Sequence, residues 1–244
     1  MVERGLCDSR EKAQRAIMAG SVRVNGQPAK KPSDKIKPDD AIELVESDKY
    51  VSRGGLKLEH GLNHFGLEVK GSTALDLGAS TGGFTDCLLQ RGAAKVYAVD
   101  VGRGQLAWKL RQDSRVVVME GINARTLGRN SFPADFKPVD LVVIDCSFIS
   151  LQKIIPPALP LLRPGGLIVA LIKPQFEAGK AEADKGAGVI RDPAVHEQVL
   201  QTIRAFLENL SALNWRGVTE SPILGPAGNK EFLAAIENQS NRGS

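Results

Sequence analysis

The run V-A-L-I-K-P-Q-F-E, residues 169–177, brings Lys173 to the end of an apolar stretch, directly before a proline. An unpaired ammonium at the end of a buried strand is costly, so such a group shifts its pKa or finds a partner. Lys173 is therefore either a lysine that snorkels to the rim or a catalytic group held on a rigid strand end. A second apolar run, V-D-L-V-V-I-D-C-S-F, carries a carboxylate at its end, Asp145. Lys57 in R-G-G-L-K-L and Glu231 in G-N-K-E-F-L add one more amine and one more acid beside apolar segments. Amines and carboxylates gathered at one place can move protons or stabilise a developing charge. They can equally form an ion-pair cluster that only joins helix to sheet.

The elements that must position these groups are legible from Thr73 onward. Apolar strands read T-A-L-D-L, K-V-Y-A-V-D, R-V-V-V-M, V-D-L-V-V-I-D and G-L-I-V-A-L-I-K. Helical stretches lie between them: G-G-F-T-D-C-L-L-Q-R-G, Q-L-A-W-K-L and a proline-interrupted S-L-Q-K-I-I-P-P-A-L-P-L-L. A long helix from about Pro193 to Leu210 and two late strands, W-R-G-V-T-E and K-E-F-L-A-A-I, complete the pattern. Such alternation predicts an α/β fold, a Rossmann-like doubly wound parallel sheet with helices on both faces. This domain is expected over residues 71–244, after a linker and leading helix over 47–70 and a small α+β domain over 1–46. Lys57 falls on the leading helix, Asp145 and Lys173 at strand ends, and Glu231 on the last strand.

In doubly wound sheets ligands bind at the carboxyl ends of the strands. The first strand runs into D-L-G-A-S-T-G-G-F, residues 76–84. Ser80 takes the second glycine position of a dinucleotide fingerprint, and no Gly-Lys-Ser/Thr of a P-loop follows. What remains is an acid, a glycine turn and a helix N-terminus, which suits a zwitterion better than a diphosphate. The candidate bed is Asp76, Gly78, Ser80, Thr81, Gly82, Gly83 and Phe84. Asp100, ending the next strand, is placed to accept ribose hydroxyls. Asn123 could reach an adenine edge, and Asp145 lies at the same edge of the sheet. An amino-acid head, a ribose and an adenine together describe S-adenosylmethionine, the expected cofactor.

The formal net charge is +4, unevenly placed. Residues 1–37 hold nine Lys and Arg against four acids, a surplus of five. A basic head suggests a polyanionic partner, RNA or DNA foremost. Within it Asp8 is a candidate helix cap with Glu11 closing a capping box. Gly20 is the expected helix end and Asn25-Gly26 a tight turn. S-R-E-K-A-Q-R-A-I-M-A-G-S-V-R-V-N-G, followed by K-P-S-D and D-A-I-E-L, resembles an S4 RNA-binding domain. S4 domains usually begin with another helical turn upstream, so the module is expected to be incomplete at its start. The resemblance implies RNA contacts from Arg10, Lys12, Arg15, Arg23, Lys30 and Lys31, with Arg53 in the junction as a further candidate.

The order and contexts of Lys57, Asp145, Lys173 and Glu231 resemble the FtsJ-like ribose 2′-O-methyltransferases. With the S4-like head and S-R-G-G-x-K, the whole chain resembles the TlyA (hemolysin A) family. That resemblance implies methyl transfer from S-adenosylmethionine to a ribose hydroxyl. The implied partner is RNA, specifically ribosomal RNA or a ribosomal subunit, in the cytoplasm. A ribose hydroxyl is a poor nucleophile, and an in-line displacement gains much of its rate from positioning. Lys173 is then expected to stabilise the alkoxide or act as base, with Asp145 holding it. Lys57 and Glu231 would orient the lysine and the ribose.

Other chemistries leave weaker traces. D-C-S-F has the spacing of the D-P-P-Y tetrad of amino-methyltransferases but lacks its prolines. Cys146 could attack cytosine C5, yet no general-acid motif accompanies it. His60 and His64 are four residues apart without a third zinc ligand, and no metal is expected. Cys7, Cys87 and Cys146 lack CxxC spacing, which argues against a disulfide frame and for a reducing cytoplasm. No apolar run approaches the ~18 residues of a membrane span, and the polar start M-V-E-R-G-L-C-D-S-R has no signal-peptide core. A membrane-active hemolysin and an RNA-binding module without activity are the remaining alternatives. Trp108 and Trp215 are expected to pack, and residues 179–188 to form a plain loop or a lid.

Overall fold

Tyr50 begins the larger of two units, Met1–Lys49 and Tyr50–Ser244. The computed structural model describes residues 1–18, 22–29, 31–33, 36–44, 49–179, 182, 185–210 and 212–239. The expected domain edge at residue 46 therefore lies outside the described residues, as do Gly20 and Lys30.

Among its described residues the small unit has one helix, α1 (Arg10–Met18), and three short strands, β1 (Val22–Val24), β2 (Gln27–Pro28) and β3 (Ile42–Leu44). The strands pair antiparallel in the order β2-β1-β3. Asn25 and Gly26 have φ of 51° and 76°, the paired positive values that suit a two-residue hairpin. The Asn25 side chain also reaches across the unit, donating to Asp40 Oδ1 and accepting from Ala41 N, both at 2.8 Å. The helix cap differs from expectation. Ser9, not Asp8, accepts from Lys12 N at 3.2 Å, because the cap must directly precede the first helical residue. Asp8 instead pairs with the Lys12 ammonium.

The large unit is built on a seven-stranded sheet ordered β6-β5-β4-β7-β8-β10-β9. Its strands are β4 (Thr73–Leu77), β5 (Lys95–Asp100), β6 (Val116–Glu120), β7 (Val139–Ile144), β8 (Leu162–Ile172), β9 (Leu213–Glu220) and β10 (Phe232–Asn238). The helices are α2 (Gly54–His64), α3 (Gly83–Gln90), α4 (Trp108–Arg111), α5 (Leu151–Ala158), α6 (Pro174–Glu177) and α7 (Pro193–Glu208). The sheet is parallel from β6 to β8, but β10 runs antiparallel to both its neighbours. The wholly parallel expectation fails there for a simple reason. No helix separates β9 from β10, and strands joined without a crossover pair antiparallel.

Two apolar layers cover the sheet. Leu58 and Leu62 of α2 and Leu88 of α3 pack with Ala74, Val143 and Leu171. On the other face Ile154 of α5 and Ile203 of α7 pack with Leu75, Ile144 and Ile172. Each such side chain contributes about 1.5–3 kcal/mol by leaving water. Two helices start where the sequence signals it: Ser150 caps α5, and Asp192 caps α7 ahead of Pro193. Pro156 and Pro157 fall inside α5, which gives way to a 3₁₀ turn at Leu159–Leu161.

Candidate active site

Strand alternation brings the candidate residues to one face. Successive side chains point to opposite sides of a sheet. Ala74, Leu141, Val143, Val169, Leu171 and Leu233 face the layer made by α2 and α3. Stepping two residues from Ala74, Val143, Leu171 and Leu233 reaches Asp76, Asp145, Lys173 and Glu231. Lys57 comes down from α2, which covers that face. Ile172 pairs with Phe232, so Lys173 and Glu231 lie together just beyond that pair.

There the amines and carboxylates form two ion pairs lining one cavity of about 690 Å³. Lys57 Nζ lies 2.5 Å from Glu231 Oε2, and the two side chains are 8% and 1% exposed. Lys173 Nζ lies 2.7 Å from Asp145 Oδ1 and donates to Ser147 Oγ at 2.9 Å. The Asp145 contact is an ion pair out of hydrogen-bond alignment, so Oδ1 counts no hydrogen-bond donor. Replacing a buried ion pair by apolar residues is often neutral or stabilising by about 1–4 kcal/mol. The buried Lys57–Glu231 pair, beside a Lys173–Asp145 pair whose Asp145 is 22% exposed, is therefore better explained by chemistry than by stability.

The glycine turn forms the next wall. A Cβ on Gly78 would lie 2.7 Å from the Asp145 carbonyl oxygen, so only glycine lets β4 and β7 end so close together. One on Gly83 would lie 2.2 Å from Ser52 Oγ, which fits α3 against the start of α2. A second cavity of about 430 Å³ is lined by Asp100 and Asn123 and shares Gly78, Ser80, Asp145, Ser147 and Phe148 with the first. Asp100 Oδ2 accepts from Ser80 N at 2.8 Å and Oδ1 from Gly102 N at 2.7 Å. Asn123 Oδ1 accepts from Arg125 N at 3.0 Å.

Gly78, Ser80, Thr81, Gly83, Phe84 and Asp145 line the larger cavity; Asp76 and Gly82 line neither. Asp76 is fully buried and accepts from Thr85 Oγ1 at 2.6 Å, while its Oδ1 has no donor among the described residues. Burial pushes its carboxyl up to about 7, against the opposing hydrogen bond from Thr85. Gly82 meets Leu106 and Leu110 instead. Arg10, Lys12, Arg23 and Lys31 are exposed on the small unit, whereas the Arg15 side chain lies outside the described residues. Arg53 lines the larger cavity and donates to Leu224 O at 3.1 Å.

Cys146, the histidine pair and the tryptophans have defined surroundings, and of these only Trp108 departs from expectation. Burial pushes the Cys146 thiol up to about 12, which removes the thiolate needed for attack on cytosine. His60 Nε2 meets Thr219 Oγ1 at 3.2 Å, and the described residues contain no cluster of three metal-ligating side chains. Trp108 is 73% exposed and does not pack, whereas Trp215 lies against the apolar layer of α5 and α7.

Ser80 is an expected site residue, whereas Ser147, Phe148 and Glu177 are not. Ser80 and Phe148 have φ of 47° and 64°, a strained region that tends to mark functional sites. Phe148 is 89% exposed and its ring centre lies 5.0 Å from that of Phe176. Glu177 accepts from Ser150 Oγ at 2.6 Å and Leu151 N at 2.8 Å. It thereby ties the segment after Lys173 to the segment after Asp145. For Ser147 a signal existed, since it lies two residues beyond Asp145; for Glu177 none did.

The family model of FtsJ-like methyltransferases matches residues 50–238. The chain belongs to the FtsJ-like methyltransferase family. Ahead of that match, residues 1–42 fit the S4 domain model. YqxC of Bacillus subtilis (strain 168), provisionally named an rRNA methyltransferase, is 51% identical over 236 residues, covering 96% of this chain and 82% of that one. TlyA of Mycobacterium tuberculosis, named a 16S/23S rRNA (cytidine-2′-O)-methyltransferase, is 44% identical over 246 residues, covering 99% and 89%. A solved structure from Streptococcus thermophilus, provisionally named a hemolysin, has a TM-score of 0.76 and 46% identity over 98% of this chain and 86% of that one. Within this FtsJ-like chain no described helix is long and apolar enough to cross a membrane.

Proposed function

We propose that the chain methylates a ribose 2′-hydroxyl of ribosomal RNA, a cytidine as in the named mycobacterial relative, with S-adenosylmethionine as donor. The reading is carried by two ion pairs, the buried Lys57–Glu231 and the partly buried Lys173–Asp145, on a cavity that adjoins the glycine turn. Such a substrate implies action in the cytoplasm.

The donor set fits that cofactor. Beyond the glycine turn, the N-terminal end of α3 offers backbone N–H groups and a favourable dipole to a carboxylate. Asp100 is fixed by two backbone donors and keeps lone pairs for ribose hydroxyls. Ile122, Asn123 and Ile149 line the remaining part of the second cavity, a place for an adenine. When bound, S-adenosylmethionine supplies an electrophilic methyl group on a sulfonium sulfur.

The chain's residues then prepare the acceptor. An ammonium has three N–H donors. On Lys173, Ser147 occupies one of them and Asp145 holds the ammonium as an ion pair, leaving an N–H for the ribose oxygen. Charge gathering on that oxygen is stabilised by the fixed ammonium. Lys57, held by Glu231, adds a second cation to the same cavity and orients the ribose. Phe148 offers an exposed face on which a base can stack. The cations of the S4 domain supply phosphate contacts that weaken with salt.

Mapping 2′-O-methylation on ribosomal RNA tests the reading directly. RNA treated with the wild-type chain gains a ribose mark, and RNA treated with the Lys173→Ala chain does not. A mark on a base, or none, would overturn it.

A further inference from the structure

Asn229 is 1% exposed and lines the catalytic cavity two residues before Glu231. Both ends of its side chain are engaged. Oδ1 accepts from Ile190 N at 2.8 Å, and Nδ2 donates to Gly188 O at 2.9 Å. Its own carbonyl accepts from Gly225 N at 2.9 Å, and Ser221 N donates to Glu231 O at 2.8 Å. Together these bonds fix the turn of residues 221–231, which contains no helix or strand. From the α2 side Arg53 adds its bond to Leu224 O. The turn is tight: a Cβ on Gly225 would lie 2.4 Å from Glu231 Oε1.

We infer that Asn229 is a positioning residue, anchoring the 221–231 turn to the 188–190 segment so that Glu231 is held against Lys57. The inference deepens the proposed function and rests on it. On its strand side Glu231 is fixed by the β10 ladder, beginning at Phe232. On its other side the turn restrains it, with the neighbouring Lys230 paired to Glu220. Truncating Asn229 leaves the buried Ile190 N without its acceptor and releases Gly188 O at the surface. The turn then relaxes, and the Lys57–Glu231 pair drifts from its geometry. Misplacement by about 1 Å can cost ~10²-fold in rate.

The test is a double-mutant cycle with Asn229→Ala and Glu231→Gln in the full chain. Single-turnover methyl transfer to ribosomal RNA is measured with enzyme in excess, and donor affinity by calorimetry. Asn229→Ala is expected to slow transfer about tenfold or more, with donor Kd within about twofold because Asn229 bonds to Ile190, Gly188 and Gly225 rather than to the donor bed. In the Glu231→Gln background the same change is expected to slow transfer by less than about twofold, as for residues acting through one another. Equal slowing in both backgrounds, or none in the single variant, overturns the inference and leaves the methyltransferase reading intact. A wild-type chain that marks no ribose overturns both. Asn229→Asp, isosteric and still an acceptor for Ile190 N, serves the same cycle should the alanine variant not fold.

Discussion

The two units of the chain hold their charges in opposite ways. Among the described residues of Met1–Lys49, only Ala13 and Val22 are buried apolar side chains. Polar clips do much of the fixing instead. Arg4 donates to the carbonyls of Lys37, Pro38 and Asp40, and Asn25 bridges to Asp40 and Ala41. In Tyr50–Ser244 two full apolar layers allow Lys57, Asp76, Lys173 and Glu231 to be buried. An exposed cation meets a phosphate with little desolvation, but salt screens it. A buried one costs folding energy and acts far more strongly on a nearby oxygen. The small unit is built to attract RNA, and the large one to act on it.

The sharpest way to break this division is Lys173→Ala. Removing the buried cation is expected to lower kcat at least about 10³-fold. Donor affinity and the KM for RNA stay within about threefold. A variant that lost RNA binding instead, with kcat preserved, would place recognition rather than chemistry at Lys173. Steady-state kinetics with calorimetry separates the two.

Acidity offers a second contrast, because Asp76 and Asp40 shift in opposite directions. Burial raises Asp76 from 3.8 to about 7, so between those values the folded chain binds the proton and the unfolded chain does not. Stability then falls as pH rises through that window, by about 4 kcal/mol in all. Asp76→Asn is expected to remove that slope, so its stability relative to wild type rises up to about pH 7 and then levels. Urea unfolding between pH 5 and 8 reads it; parallel curves would mean that Asp76 is ionised throughout. Asp40 behaves conversely, since the Lys37 N–H and Asn25 hold its carboxyl below the usual range. Its contribution is present above pH 3.8 and is lost as pH falls through the lowered pKa.

Much of this was legible in the sequence, and the gaps have physical reasons. Alternation of apolar strands and helices fixes the layers, and strand-end position picks out Asp145 and Lys173. Asn25-Gly26 specifies its turn by backbone chemistry alone. Trp108 misled because an aromatic beside apolar residues normally packs, and its exposure depends on how a four-residue helix sits on the glycine turn. Asp76 stands at a ligand-binding strand end by pattern, yet Thr85 and the layer of α2 and α3 enclose it. Asn229 and Glu177 act on residues 26 to 41 positions away, a relation that no local spacing encodes.

On the small unit, replacing Arg10, Lys12 and Arg23 together by alanine should weaken RNA affinity about ten- to a hundredfold. The log–log salt slope should fall by about 0.7–0.9 for each phosphate that is no longer neutralised. At saturating RNA, kcat stays unchanged. Filter binding across salt concentrations measures this, and an unchanged slope would make the basic head a bystander.

The smallest change tests how the small unit is held. Ser9→Ala removes the cap on Lys12 N and is expected to cost about 1 kcal/mol. Asp8→Ala removes only an exposed pair with Lys12, whose side chains are 84% and 56% exposed, and should be nearly neutral. With so thin an apolar core, the Ser9 loss weighs heavily on this unit. It should appear as faster amide exchange across α1, while exchange in the central strands β4 and β7 stays unchanged. Reversal of the two effects would return the cap to Asp8. Equal exchange changes in both units would show that the small unit borrows its stability from the large one.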